Sequence, residues 1–223
     1  MFCLDKPGIY RYNENQKIEC WDRKEWIMKK IVLIGDSIRK GYDNYVKEKL
    51  AGQAEVLFPE ENCRFAQYVY LNLLGWKTDG NWGDDVDLVH WNAGLWDVGH
   101  LMDEGTLTIP EQYALTLRRI VKRIRMLFPR AVIVFATSTP VIEEKYGKDF
   151  WRKNADIEQY NAMAKEIMAE LDVWVDDLYP VMKGIPESER SDMTHFYTPE
   201  GTKRIGDAVL GCICPLLGME QEK

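Results

Sequence analysis

The sequence predicts an α/β fold, in which helices cover both faces of a parallel sheet. From Ile31 onward, short apolar runs rich in β-branched residues alternate with longer segments of helical spacing, a pattern typical of such a sheet. The length of 223 residues is enough for one sizeable domain and does not require a second. A hydrophobic fraction of 46% and a charged fraction of 29% are ordinary for a globular protein. We therefore expect one core, which starts near Met28.

Five short apolar segments are the predicted strands of this sheet. They span residues 31–35, 54–58, 87–92, 131–137 and 173–177. Helical spacing follows the third of them, where Pro110 suits the first turn of a helix. Asn154 is the predicted N-cap of the next helix, and Thr198 is the predicted cap of the terminal helix.

The chain is predicted to consist of an N-terminal extension of unknown role, residues 1–27, and one domain over residues 28–223. The N-terminus has no apolar signal-peptide core, and no segment approaches the ~18 uninterrupted apolar residues of a membrane span. The odd number of cysteines, five, favours reduced thiols over a disulfide framework. We therefore expect a cytoplasmic protein with no membrane partner.

The net charge and the cysteine spacing argue against two classes of function. A net charge of -7 disfavours a nucleic-acid partner, because such affinity rests on clustered Lys and Arg that neutralise phosphates. The basic residues between Arg118 and Arg125 are better explained as a solvated helix face. No CxxC pair or Cys/His ligand spacing is present, so we expect no metal site and no cofactor.

The loops that follow the predicted strands are where function is expected. In open α/β sheets the ligand crevice lies beyond the carboxyl ends of the strands. Ser37 lies in a tight turn between the first strand and a helix, where Gly35 would tolerate unusual dihedral angles. The helix N-terminus would also direct its free N–H groups at the site. Ser37 is therefore the candidate nucleophile.

A serine hydroxyl needs a neighbouring base, and histidine is best matched to neutral pH. His90 lies within a predicted strand and is best explained as a hydrogen-bonded core residue, whereas His100 lies in a polar loop. His195 differs because Asp192 precedes it by three residues, close enough for the carboxylate to reach the imidazole. An isolated DxxH would be better explained by an aspartate that caps a turn. Together with Ser37, however, the pair is the candidate base and its orienting group.

Three motifs together carry a family resemblance: GDS after the first strand, an Asn/Gly loop after the third, and DxxH before the last helix. In this order and placement the sequence resembles the SGNH (GDSL-like) hydrolase superfamily over nearly the whole chain after Met28. The resemblance implies that Ser37 is the nucleophile and that Asp192 and His195 complete a catalytic triad. It also implies a three-layer α/β/α, flavodoxin-like fold with about five parallel strands in the order 2-1-3-4-5.

Two motifs depart from the usual form of that superfamily, and both concern the oxyanion hole. The usual glycine after the second strand is replaced by the loop PEENCR, in which Asn62 or Cys63 would take its place. The usual GxND reads GLWD, so Trp96 occupies the asparagine position. Asn92 at the strand end could supply the missing amide, as in a divergent branch with NxGxxD in place of GxND. The expected oxyanion donors are the backbone N–H groups of Ser37 and of the PEENC loop, with an Asn62 or Asn92 amide.

The resemblance implies a serine esterase that hydrolyses a small-molecule carboxylic ester through an acyl-Ser37 intermediate. An O-acetylated saccharide is the predicted substrate class. Trp91 and Trp96 flank the predicted crevice and could stack on a sugar ring or line an acyl pocket, although a role in the core explains them as well. A lysophospholipase or thioesterase acting on longer acyl chains is the alternative enzyme.

Two alternatives lie outside catalysis. A non-catalytic binding module could retain the fold and a ligand crevice, because fold alone does not imply activity. A cofactor-binding domain is disfavoured, because GDSIRKG has neither the P-loop nor the dinucleotide-binding spacing.

Overall fold

A parallel sheet of five strands forms the centre of the computed structural model, which describes residues 28–102 and 104–219. From one edge to the other the strands are β2 (Ala54–Leu57), β1 (Lys29–Ile34), β3 (Leu88–Trp91), β5 (Val132–Ala136) and β7 (Trp174–Asp176). Every neighbouring pair is parallel. The predicted order 2-1-3-4-5 is confirmed, since β5 and β7 are the fourth and fifth strands of this sheet along the chain.

Two groups of helices cover the two faces of the sheet. Along the chain the helices are α1 (Ser37–Lys49), α2 (Ala66–Asp79), α3 (Pro110–Leu127), α4 (Asn154–Glu170), α5 (Leu178–Met182) and α6 (Pro199–Leu217). Helix α1 packs against α6, whereas α2, α3 and α4 pack in a row. A short antiparallel pair forms between β4 (His100–Leu101) and β6 (Phe150–Trp151). The three-layer α/β/α architecture is thereby confirmed.

The central strands are buried on both faces because helices lie above and below them. Residues 31–34 of β1 have no exposed surface, and all four residues of β3 are buried. This burial explains why the sequence shows continuous apolar runs instead of apolar and polar alternation. Ile34 pairs in register with Trp91, so the loops that follow β1 and β3 leave the sheet side by side.

Two predicted caps have different outcomes. Thr198 is the N-cap of α6, and its side-chain oxygen accepts a hydrogen bond from the Gly201 N–H at 3.1 Å. The predicted cap of α4 is wrong by one position, because Lys153 is the N-cap and Asn154 is the first helical residue. The Asn154 side chain instead bonds the backbone N–H and carbonyl of Val141, at 2.9 and 3.0 Å. These bonds tie the start of α4 to the loop after β5.

The predicted N-terminal extension, residues 1–27, lies outside the described residues. Within the part of the chain that the structure describes, none of the helices has the length and apolar character needed to cross a membrane. Three cysteines lie in that part, Cys63, Cys212 and Cys214, and each has a free thiol. The cytoplasmic location and the domain bounds 28–223 stay predictions.

Candidate active site

Ser37 is the first residue of α1 and stands just beyond the carboxyl end of β1. Asp36 is the N-cap of this helix, and its Oδ1 atom accepts a hydrogen bond from the Ile38 N–H at 2.9 Å. The first N–H groups of a helix have no intrahelical acceptor. Within the described residues the Ser37 N–H donates to no other group, so it is available to a ligand.

Position 35 requires glycine because a side chain would not fit there, and not because of its backbone dihedral angles. The sequence suggested unusual dihedral angles there, but the φ angle of Gly35 lies outside the left-handed region, so this expectation is wrong. A Cβ atom at position 35 would lie 1.8 Å from Asn92 Oδ1 and 2.8 Å from Arg39 Cβ. Glycine therefore leaves the room in which Asn92 approaches the turn between β1 and α1.

The structure brings the side chains of Ser37, His195 and Asp192 together, although 158 residues separate the first two. The His195 Nε2 atom lies 2.8 Å from Ser37 Oγ. The His195 Nδ1 atom lies 2.7 Å from Asp192 Oδ2. Because a carboxylate only accepts hydrogen bonds, Nδ1 carries the proton and Nε2 is left to accept the one on the serine hydroxyl. This arrangement is able to withdraw the proton from Ser37.

Asp192 both caps a turn and binds the imidazole. The two interpretations of the DxxH motif, a turn cap and an orienting carboxylate, therefore hold together. Its Oδ1 atom accepts hydrogen bonds from the backbone N–H groups of Thr194 and His195, at 2.7 and 2.8 Å. Partial burial alone would raise the pKa of Asp192. The hydrogen bonds from the His195 ring and the two backbone groups outweigh burial and hold the pKa below its ordinary value. The carboxylate is therefore ionised at neutral pH.

The other two histidines are held by carboxylates of their own. His90 is fully buried in β3, and its Nε2 atom lies 3.0 Å from Asp176 Oδ2, as expected for a hydrogen-bonded core residue. His100 Nε2 lies 2.8 Å from Asp156 Oδ2. Neither imidazole is hydrogen-bonded to the serine of the GDS motif.

Asn92 directs its side chain at the turn between β1 and α1. It is 5% exposed, and its backbone N–H donates to the Ile34 carbonyl at 2.9 Å. Within the described residues its buried Oδ1 atom has no hydrogen-bond partner, and its amide is close enough to the buried Asp36 carboxyl to lower the pKa of that group. An amide at the turn that bears Ser37 is a candidate oxyanion donor.

The loop after β2 is largely occupied with its own hydrogen bonds. The Asn62 Oδ1 atom accepts from the Arg64 N–H at 2.8 Å, and the Cys63 N–H donates to the Gly35 carbonyl at 3.1 Å. The Cys63 N–H is therefore not free to bind an oxyanion. Arg64 has a φ of 51°, so it, and not Asn62 or Cys63, has the left-handed conformation that favours glycine. A donor role for the Asn62 amide nitrogen stays a prediction.

The two tryptophans predicted to contact substrate lie in different environments. Trp91 is 0% exposed and packs edge-to-face on Phe135, with ring centroids 4.9 Å apart. A fully buried ring cannot stack on a ligand in a crevice, so the predicted role of Trp91 is wrong and it is a core residue. Trp96 is half-buried in the loop after β3, and its contact with substrate stays a prediction.

Tyr197 contacts both Ser37 and His195 and was missed by sequence reasoning. Its hydroxyl donates to the Ser37 carbonyl at 2.6 Å. Its ring stacks on the His195 imidazole, with centroids 4.7 Å apart and an interplanar angle of 27°. A Cβ atom on Gly41 would lie 2.8 Å from the Tyr197 ring, so this glycine makes room for it. The only signal in the sequence is the position of Tyr197 two residues after the histidine.

A second group of residues that sequence reasoning missed links the loop after β3 to the loop of the DxxH motif. Arg152 is 6% exposed and donates from Nε to the Leu95 carbonyl at 2.5 Å. Its Nη1 donates to the Tyr146 hydroxyl at 3.0 Å. The Tyr146 hydroxyl in turn lies 2.6 Å from Thr194 Oγ1. No motif in the sequence predicts this chain of contacts, because its members come from three separate segments.

Two buried aspartates hold the loops around the site. Both carboxylate oxygens of Asp97 accept from the Ala66 N–H at the start of α2, at 3.2 and 3.1 Å. Burial raises the pKa of Asp97 to about 6. Burial also raises the pKa of Asp36, although hydrogen bonds from the Ile38 N–H and the Asn92 side chain oppose the effect. Each carboxylate thus anchors the beginning of a helix next to the crevice.

Solved structures of other proteins share this fold. They include a lipase/acylhydrolase from Enterococcus faecalis, with a TM-score of 0.68 and 19% identity, covering 88% of this chain and 100% of that one. The acetyl xylan esterase AlAXEase has a TM-score of 0.64 and 18% identity, covering 82% and 99%. Axe2, an acetylxylan esterase from Geobacillus stearothermophilus, has a TM-score of 0.62 and 18% identity, covering 82% and 93%.

The sequence itself also identifies a family. No protein of curated function matches the chain. The model of the GDSL-like Lipase/Acylhydrolase family, by contrast, matches residues 33–203. This match takes in the GDS motif, the loop after β3 and the DxxH motif, and it covers well over half of the chain. The chain therefore belongs to the GDSL-like lipase/acylhydrolase family and is an ester hydrolase.

Proposed function

We propose that the chain hydrolyses a carboxylic ester through an acyl-Ser37 intermediate. The observation that carries the proposal is the 2.8 Å contact between Ser37 Oγ and His195 Nε2, with Asp192 2.7 Å from the other ring nitrogen. Ser37 Oγ attacks the ester carbonyl carbon while Nε2 takes its proton. The imidazolium then protonates the leaving alcohol, so that the bond between the acyl carbon and the alcohol oxygen breaks. Water, deprotonated by the same nitrogen, releases the acid and restores the serine.

The proposed oxyanion donors are the Ser37 N–H and the Asn92 amide. Two observations support them: the Ser37 N–H has no acceptor among the described residues, and the Asn92 side chain approaches the turn that bears Ser37, where β1 and β3 end side by side. The positive end of the α1 dipole adds to the stabilisation of a negative oxygen there. Asn62 stays a third candidate through its amide nitrogen.

The proposed substrate class is an O-acetylated saccharide. The fold likeness to two proteins named as acetylxylan esterases supports it, as does half-buried Trp96 in the loop after β3, since an indole is able to stack on a sugar ring. With Trp91 buried in the core, one tryptophan of this loop is left to contact a ligand. The alternative enzyme is a lysophospholipase or thioesterase, which would hydrolyse esters of long acyl chains faster than acetyl esters.

Labelling with a fluorophosphonate probe tests the nucleophile. The activated serine should react with the probe once per chain, and mass spectrometry should locate the adduct on Ser37. Ser37→Ala should abolish labelling and turnover of 4-nitrophenyl acetate, and His195→Ala should do the same. Ser188→Ala serves as the control, because Ser188 is exposed in the short 3₁₀ helix Glu187–Glu189 and has no hydrogen bond to Ser37, His195 or Asp192, so this variant should label as the wild type does. Unchanged labelling in the Ser37→Ala protein would remove the mechanism.

A panel of esters tests the substrate class. We expect higher kcat/KM for 4-nitrophenyl acetate than for the octanoate, and release of acetate from an acetylated xylo-oligosaccharide. Preference for the octanoate, with no acetate released from the saccharide, would reject the saccharide proposal in favour of the longer-acyl alternative.

A further inference from the structure

Tyr197 connects the two ends of the Ser37–His195 contact. Its hydroxyl donates to the Ser37 carbonyl at 2.6 Å, and its ring lies against the His195 imidazole at 4.7 Å between centroids. The ring is also close to α1, since a side chain on Gly41 would collide with it. At 46% exposure the side chain is nevertheless open to solvent on one side. It therefore reaches from the DxxH loop to the first turn of the nucleophile's helix.

The hydroxyl of Tyr197 stays a donor throughout the working range of a histidine base. Burial of the side chain, and next the negative charge of Asp36, raise the pKa of Tyr197 to about 12. The protonated hydroxyl donates to the carbonyl of Ser37, the residue that also carries the nucleophilic Oγ atom and the candidate oxyanion N–H. A fixed Ser37 backbone keeps both of these groups aimed at the ester.

The aromatic ring of Tyr197 is placed to stabilise the positive charge that His195 carries when it is protonated. When Nε2 takes the serine proton, the imidazole becomes a cation next to an aromatic ring. A cation within ~6 Å of an aromatic centroid is attracted by the ring quadrupole, and the centroids here are 4.7 Å apart. The ring therefore stabilises the imidazolium more than the neutral imidazole.

We propose that Tyr197 is a positioning residue of the triad, whose hydroxyl fixes the Ser37 backbone and whose ring stabilises the protonated form of His195. The kinetic part of this proposal rests on the proposed function, whereas the effect on the imidazole does not. The other charged groups that face the imidazole are Asp192 on its own loop and Asp36 at the start of α1. The positive charge of Arg39 in α1 also lowers the pKa of Tyr197 slightly, against the effect of burial. All three are retained in every variant below.

Two substitutions separate the hydroxyl from the ring. Tyr197→Phe keeps the stacked ring and should lower kcat about threefold to tenfold, with KM changed less than about twofold and the pH profile unmoved. Tyr197→Leu removes the ring as well and should lower the apparent pKa of the base in kcat/KM by about half a unit. Tyr45→Phe is the matched control, because it removes a tyrosine hydroxyl that binds Asp207 and does not contact the triad.

Nuclear magnetic resonance titration of the histidines supplies a readout that does not need activity. Of the three histidine signals, the one lost in His195→Ala identifies the base. Its pKa should be unchanged in Tyr197→Phe and lower in Tyr197→Leu. Circular dichroism and thermal unfolding show whether each variant is folded, and an unfolded Leu variant is replaced by Tyr197→Met.

Three outcomes would overturn the proposal. An unchanged histidine pKa in a folded variant without the ring would reject the role of the ring. A wild-type kcat in Tyr197→Phe would reject the role of the hydroxyl. A raised KM at constant kcat would make Tyr197 a substrate contact instead. An inactive wild-type chain with the predicted titration shifts would count against the esterase mechanism but not against the contact with His195.

Discussion

The Asn92 Oδ1 atom fills the space in which residue 35 would carry a side chain, 1.8 Å from the position of a Cβ atom there. Gly35 follows the first strand and Asn92 follows the third, so this contact joins the ends of two neighbouring strands. The close approach of Asn92 to Gly35 therefore fixes the position of the proposed oxyanion amide relative to the turn that bears the proposed nucleophile. Substitution at either residue should disturb the reaction more than the fold.

Gly35→Ala should lower kcat by about two orders of magnitude, because its methyl group displaces the Asn92 amide or the turn that bears Ser37. Steady-state kinetics with 4-nitrophenyl acetate measures the loss. Gly75→Ala is the control: Gly75 lies in α2, a Cβ atom there meets nothing within 4 Å, and activity should be unchanged. A Gly35→Ala protein with full activity would show that the close approach does not position the site.

Asn92→Ala should lower kcat by about 10²–10³-fold with little change in KM, since the lost donor acts mainly on the charge that develops in the transition state. Asn92→Asp keeps the shape of the side chain but replaces the amide donor with an acceptor, so it should lose at least as much. Equal kcat values for the wild type and Asn92→Asp would contradict the donor role.

Thr194→Val should lower kcat about threefold to tenfold, because it removes the hydroxyl that lies 2.6 Å from the Tyr146 hydroxyl while keeping the side-chain shape. Thr194→Ser retains the hydroxyl and should restore most of the activity. In a Tyr146→Phe background the Val substitution should have little further effect, since the contact is already lost. Fully additive losses in kcat would show that this contact does not support the Asp192 loop.

The contribution of Asp97 to the stability of the protein should fall as the pH rises through the range in which this group ionises. Burial raises its pKa from 3.8 to about 6, so the folded state holds the proton more tightly than the unfolded chain. The stabilisation from the protonated group is fully present below about pH 4 and lost as the pH rises through about 6. The shift corresponds to about 3 kcal/mol at most.

Urea unfolding at pH 4 and pH 7 measures this contribution. The loss of unfolding free energy between the two should be smaller in Asp97→Asn, which cannot ionise. Asp85→Asn should not reduce the loss, because the hydrogen bond from Lys30 lowers the pKa of exposed Asp85. Equal losses in the wild type and Asp97→Asn would show that Asp97 does not titrate in this range.

The sheet and its order were predictable because their signals are local. The apolar runs mark the buried strands, and the positions of GDS and DxxH relative to those runs support the family resemblance from which the order follows. The predicted strand 131–137 corresponds to β5, and Thr198 caps α6 as expected. The three residues of the proposed triad were found the same way, since each lies in a short motif.

The roles of Trp91, Gly35 and Tyr197 could not be read from the sequence. Whether an indole at a strand end faces the core or the crevice depends on the helices packed over it, and here Trp91 is covered completely. Gly35 is needed because of Asn92 on another strand, and Tyr197 acts through α1. These roles arise from contacts between segments that are distant along the chain.

By itself the sequence determined the class of fold, the family and the candidate nucleophile, base and orienting carboxylate, because periodicity and motif spacing are properties of neighbouring residues. Only the tertiary structure decided which groups surround them: which amide approaches the serine, which aromatic ring lies on the imidazole and which tryptophan is buried. The physical reason is that burial and hydrogen-bond partners depend on how β1, β3, α1 and the DxxH loop pack together. These segments are close in space but far apart along the chain.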